Sequence, residues 1–91
     1  MPKRTTRLWV AQLVISPVVE AKINQRHSVT AAEVRDAVEC DSRFYAFLEN
    51  CPEKGRRWLA DVPIRGSRYR VVLYPSPKFA DVYTLGSCYQ W

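Results

Sequence analysis

Arg68, Arg70 and Tyr74 stand at even spacing in one apolar-polar run. In an extended chain, even spacing puts side chains on one side of a sheet. Arg56, Arg57 and Arg65 lie close by in sequence, and Tyr83, Tyr89 and Trp91 supply aromatic surface at the end of the chain. Guanidinium groups beside flat rings suit single-stranded RNA, because arginine pairs with phosphate while rings stack on unpaired bases. The same residue types also build protein–protein interfaces, so an RNA partner and a protein partner both fit such a face.

Lys22, Arg26 and His27 form a second cluster. Lys22 and Arg26 are one helical turn apart and project together. His27 is the only histidine, and histidine is the side chain that titrates near neutrality without a large shift. It can serve as a general acid or base. At a helix end it can equally cap the last carbonyls and favour the helix dipole. There is no glycine-rich phosphate loop, no HExxH, no GxSxG and no usefully spaced pair of carboxylates. Neither a cofactor nor a metal is expected. If the chain is an enzyme, its chemistry must therefore run on Arg, Lys, His and Tyr, and RNA cleavage is the reaction that asks for no more. The substrate's own 2′-hydroxyl is the nucleophile, so the protein need only move protons and stabilise an anionic phosphorane. Cys40, Cys51 and Cys88 are odd in number and irregular in spacing, with no CxxC pair, which argues against a disulfide framework or a zinc site. They read as free, partly buried thiols, the other reading being a catalytic cysteine with His27 as its base.

A chain of 91 residues has room for one domain with one modest core. Its net charge of +5 is unevenly spread. Residues 1–27 carry +4, residues 28–53 carry −4, and residues 54–91 carry +5. An acidic middle between basic ends predicts a polarised surface that attracts nucleic acid or an acidic protein. No stretch approaches the roughly 18 apolar residues that span a bilayer. The basic start at Met1–Arg4 has no small-residue cleavage site after it, so the chain reads as cytoplasmic, with no membrane partner.

The elements that must position these residues follow from local signals. The first six residues, basic and polar, are expected to fray. Leu8 to Ile15 reads as a strand with both faces mostly apolar and covered. Ser16-Pro17 is a helix start, and the first helix should run from Pro17 to His27 with Val19 and Ile23 on its inner face. Thr30-Ala31-Ala32-Glu33 is a capping box, with Val29 and Val34 as a hydrophobic staple, and opens a second helix from Ala31 to about Cys40. It should bury Val34, Ala37 and Val38. Residues 41–50 fit either a helix or a short strand. Cys51-Pro52-Glu53-Lys54-Gly55 is a turn. Beyond it, Trp58, Ala60, Val62 and Ile64 alternate with polar positions as in a half-buried strand. A tight turn at Arg65-Gly66, a strand from Arg68 to Tyr74 and a third strand from Ala80 to Leu85 complete the chain. The class is α+β, in the order β-α-α-β-β-β, with two helices packed on a mainly antiparallel sheet.

This order resembles that of the RelE/ParE superfamily of toxins. The stretch Lys22-Ile23-Asn24-Gln25-Arg26-His27-Ser28-Val29-Thr30 through Glu33 is similar to the K-I-x-x-(K/R)-H-x-V-(S/T)-x-x-E segment of BrnT-like members. The tail, with Cys51-Pro-Glu-Lys-Gly, Arg68 to Pro75 and Leu85-Gly-Ser-Cys-Tyr, is also similar to small proteins of that group. The resemblance covers roughly residues 8 to 90 as one domain. It implies a RelE-like fold and a metal-free endoribonuclease of the mRNA interferase kind, the toxin of a type II toxin–antitoxin pair. Its partners would be RNA, in the context of the ribosome, and a cognate antitoxin, with no DNA binding by the isolated chain. Lys22, Arg26, His27 and either Arg68 or Arg70 are the positions carried over. Joined with the basic face, this nominates His27, Arg70 and Tyr89 as catalytic. Lys22, Arg26, Arg68 and Tyr74 are nominated as RNA-binding. The alternative is a non-catalytic module whose basic sheet grips an acidic protein or RNA.

Overall fold

The computed structural model describes residues 5–39, 45–51 and 55–90. Its elements are β1 (Thr5–Arg7), β2 (Gln12–Val14), α1 (Pro17–His27), α2 (Ala31–Val38), β3 (Tyr45–Cys51), β4 (Gly55–Ile64), β5 (Ser67–Pro75) and β6 (Val82–Gln90). Both helices begin where their caps dictate. The Ser16 hydroxyl accepts from the Val19 amide at 3.3 Å, and Pro17 opens the first turn. Thr30 Oγ1 accepts from the Glu33 amide at 3.2 Å while Glu33 Oε1 accepts from the Thr30 amide at 3.1 Å. α1 ends on Ser28, a left-handed residue at φ 55°, whose amide returns to the Asn24 carbonyl. α2 stops short of the expected Cys40, because Glu39 turns extended and commits its carboxylate elsewhere, to the Leu13 amide at 2.7 Å.

The strands form one six-stranded sheet in the order β1-β3-β4-β5-β6-β2. Every neighbouring pair is antiparallel except β2 and β6. The fold is thus α+β, two helices on a mainly antiparallel sheet. Of the single strand expected over Leu8–Ile15, only Gln12–Val14 is strand, as β2, and β1 precedes that segment on the opposite edge of the sheet. The reason is geometric. Five strand spacings in a flat sheet would separate β1 from β2 by roughly 24 Å. The five residue steps from Arg7 to Gln12 reach at most about 18 Å. The sheet therefore curls, and residues 8–11 strap its two edges together. Leu8 and Val10 plug the strap into the core at 6 % and 0 % exposure. Nor is this segment covered on both sides, for Trp9 and Val14 are exposed.

Tyr45–Cys51 is a strand, since it ladders with β1 on one side and β4 on the other. Residues 41–44 of that ambiguous stretch, and 52–54 of the following turn, lie outside the described residues. The β4–β5 turn is the two-residue Arg65-Gly66, both at positive φ, as a type I′ hairpin requires. β6 starts later than expected and runs on to Gln90. Gly86 does not end it but sits in a bulge opposite Val72 and Leu73.

The inner face of the curled sheet carries Ala60, Val62 and Ile64 from β4, Tyr69, Val71 and Leu73 from β5, and Tyr83, Leu85 and Cys88 from β6. Ile23 of α1 and Val34 and Val38 of α2 close over them, with Val19 and Ala37 packed at the margin. Val29, the staple residue, is fully buried. No helix among the described residues is long and apolar enough to cross a membrane.

Candidate nucleic-acid-binding face

The face of the sheet turned away from the helices holds Arg68, Arg70, Tyr74 and Tyr89, and strand register decides which of them meet. Because Arg65-Gly66 is a two-residue turn, Ile64 pairs with Ser67, and counting back along both strands brings Asp61 opposite Arg70. Arg70 in turn pairs with Tyr89 on β6. On the other side, Tyr45 lies one step past the Ala46–Ala60 pair, beside Asp61, and is itself paired with Arg7 on β1. The result is a row across the sheet: Arg7, Tyr45, Asp61, Arg70, Tyr89. The His27 ring extends it from the last turn of α1, its centroid 6.4 Å from that of Tyr89 and tilted by 48°.

Contacts within the row are specific. Arg7 Nη2 donates to the Tyr45 hydroxyl at 3.0 Å, and its guanidinium carbon lies 5.5 Å from the ring centroid. Arg70 grips Asp61 with two donors, Nε to Oδ1 at 3.0 Å and Nη2 to Oδ2 at 3.4 Å. It also covers the Phe47 ring at 5.3 Å. The hydrogen bond to Asp61, with a smaller contribution from Tyr89, raises the Arg70 pKa above its ordinary value. Arg70 is therefore a fixed, flat, permanently charged group rather than a searching side chain.

A second row runs parallel to the first. Glu49 pairs with Arg57, whose Nε donates to Glu49 Oε1 at 2.7 Å and whose Nη2 donates to the same oxygen. Tyr74 is next to Arg57 and pairs with Thr84. Glu49 first, and Tyr74 second, raise the Arg57 pKa. Between the rows lies an apolar stripe of Phe47, Leu59 and Val72, directly paired in that order. Leu59 and Val72 are each only 6 % exposed. The face that carries Arg68, Arg70 and Tyr74 is thus apolar along its middle.

Of the nominated residues, His27, Arg70 and Tyr89 come together from α1, β5 and β6. Arg68 lies on the same face, paired with Pro63. Tyr74 belongs to the second row. Lys22 and Arg26 stay on α1, half-buried and exposed respectively, next to His27 along the helix and outside both rows. Arg7, Tyr45, Phe47 and Asp61 are additions. Asp61 was accessible to sequence reasoning through the two-residue turn that sets its register; Arg7 and Tyr45 were not, because their pairing depends on the strap. Cys88 sits on the inner face with no exposure. Burial first, and Glu33 second, push its thiol up to about 12, which leaves it protonated and unsuited to nucleophilic work. Among the described residues no three His, Cys, Asp or Glu side chains gather as metal ligands.

Compared with protein-family models, with curated proteins and with solved structures, the chain gives no match.

Proposed function

We propose that the outer sheet face binds single-stranded RNA. The observation that carries this reading is the row Arg7–Tyr45–Asp61–Arg70–Tyr89–His27, in which two arginines and three rings line up across the sheet around one aspartate. Such an array grips phosphates through guanidinium forks and stacks bases on aromatic faces, without needing a deep cleft. Asp61 orients Arg70, whose guanidinium lies over the Phe47 ring.

A second reading, metal-free cleavage of the bound RNA, is favoured by the meeting of His27, Tyr89 and Arg70. In it, His27 or Tyr89 takes the 2′-hydroxyl proton. The 2′-oxygen then attacks phosphorus, and the 5′-oxygen leaves with a proton from the other group. Arg70 stabilises the phosphorane. The products are a 2′,3′-cyclic phosphate and a 5′-hydroxyl. The sequence resemblance to RelE/BrnT-like toxins supports this reading and adds a cognate antitoxin as the partner that would silence it, in the cytoplasm and at the ribosome.

Incubation of the purified protein with single-stranded RNA tests both. Binding that weakens about tenfold or more in Arg70→Ala is expected from loss of a charge-assisted fork. Cleavage should end in cyclic phosphate and fall in His27→Ala and Tyr89→Phe. Binding without cleavage removes the enzyme and leaves the RNA-binding module. No binding, together with recovery of one stoichiometric acidic protein, would transfer the face to a protein partner.

A further inference from the structure

Among the described residues, three that are not glycine stand at positive φ: Ser28 at 55°, Arg65 at 51° and Asp81 at 62°. Residues with a Cβ rarely adopt that region, and holding one there strains the backbone. Two of the three are joined to each other. Arg65 Nη2 donates to the Ser28 carbonyl, 37 residues away along the chain. Arg65 Nε meets Glu33 Oε2 at 2.8 Å. One guanidinium thus ties the β4–β5 turn to the end of α1 and to the first turn of α2.

Neither residue is of the type its position favours. The first site of a type I′ turn takes Asn, Asp or Gly by preference, and a left-handed helix end takes Gly. The contacts of its side chain are what an arginine adds at that turn. Ser28 sits at a strained helix end whose closing bonds run from its own amide to the Asn24 carbonyl at 3.1 Å and from the Val29 amide to the Ile23 carbonyl at 3.4 Å. Arg65 holds this end from outside, through the Ser28 carbonyl. Glu33 keeps its capping duty with its other oxygen, Oε1, which accepts from the Thr30 amide. The grip on Arg65 is therefore additional to the cap.

The residue before Ser28 is His27, which ends the outer row against the Tyr89 ring. Fraying of α1 at Ser28 would begin with His27 and carry its ring away from Tyr89.

We propose that Arg65 is a positioning residue of the outer face: it pins Ser28 and thereby sets His27 against Tyr89. Its consequence rests on the RNA-binding reading, in which a strand along the row uses the His27 ring in place. A planar fork suits the task, because donors in one plane reach Ser28 and Glu33 together, and an ammonium has no such plane.

His27 is the only histidine, so one imidazole signal in a nuclear magnetic resonance spectrum reports it without ambiguity. The full chain is compared with Arg65→Asn and Arg65→Lys. Asparagine suits the left-handed turn site, so the urea midpoint of Arg65→Asn should stay close to that of the parent chain. Lysine keeps the charge. In both variants the His27 ring signals should shift, its nuclear Overhauser contact with Tyr89 should weaken, and anisotropy should show affinity for a short single-stranded RNA falling several-fold. The loss in Arg65→Lys reads position and not charge. Unchanged His27 signals overturn the proposal, and the RNA face survives if Arg70→Ala still weakens binding. Shifted signals with full RNA affinity overturn it too, since the place of His27 would not matter to the strand. A large fall in urea midpoint in both variants would reduce Arg65 to a tie that holds the fold, and overturn its role at the face. If the parent chain binds no RNA, the RNA reading falls and the role of Arg65 in it falls as well.

Discussion

Asp61 and Arg70 have opposite effects on the same anion. Asp61 holds Arg70 flat over Phe47, yet its carboxylate repels any phosphate that Arg70 attracts. Partly exposed pairs of this kind contribute about 0–1 kcal/mol to stability, so the pair can be altered without unfolding the domain. Asp61→Asn keeps an acceptor for the guanidinium and removes the negative charge. It is expected to tighten RNA binding several-fold, whereas Arg70→Ala weakens it, both read by anisotropy at one salt concentration. Weaker binding in Asp61→Asn would mean that orientation of Arg70 outweighs charge. Cys88 makes a different residue-scale prediction. Its thiol rises from 9.0 to about 12 in the fold, and the Tyr83 hydroxyl is raised as well, by burial and then by Asp81. Both folded groups hold their protons longer than the unfolded chain does. The stability they lend is complete below about pH 9 and is lost as pH rises toward 12. Urea midpoints should fall across that window, and Cys88→Ala should flatten the fall.

At the scale of elements, β2 is the piece most dependent on something outside itself. It has three residues and one neighbouring strand. Its other edge is closed by side chains of α2: the Glu39 carboxylate takes the Leu13 amide at 2.7 Å, and Arg35 Nε donates to the Leu13 carbonyl at 3.4 Å. An acid at the C-cap of α2 and a base four residues before it thus imitate a neighbouring strand and block edge-to-edge pairing. Glu39→Ala orphans a partly buried amide and should cost about 1–3 kcal/mol, seen as a lower urea midpoint. The contrast with α2's other end shows what a sequence discloses. Thr30 and Glu33 announce the capping box because both partners lie within four residues, and the alternation from Trp58 to Ile64 announces the inner face because a strand's period is two. Glu39 and Arg35 look like ordinary surface charge, since their partner is 22 to 26 residues away. Gly86 misled for a related reason. It reads as a strand end, but a glycine also admits a bulge under the Tyr74 ring. On the outer face, Arg68, Arg70 and Tyr74 were legible from parity alone. That Arg70 and His27 both adjoin Tyr89, while Tyr74 joins Arg57, depends on register and on where α1 lies.

Across the whole molecule, the strap over residues 8–11 is the part that makes a curled sheet out of a flat one. A chain of 91 residues buries a smaller share of its surface than a larger domain and has little stability to spare. Joining the edges β1 and β2 through one buried segment lets both rely on the same core contacts, chiefly Leu8 and Val10. The rows on the outer face depend on this closure, since Arg7 reaches Tyr45 only while β1 is held beside β3. Val10→Ala leaves a cavity where a fully buried side chain was and should cost about 1–3 kcal/mol. The distribution of that loss is the informative part. If the strap couples the edges, amide hydrogen exchange should accelerate together in Thr6 of β1 and Leu13 of β2. The central β4–β5 ladder should keep more of its protection. The same variant should lower RNA affinity, because freeing β1 withdraws Arg7 from the row. Faster exchange at one edge alone would show that β1 and β2 are held independently, and the fall in RNA affinity would then follow β1 only.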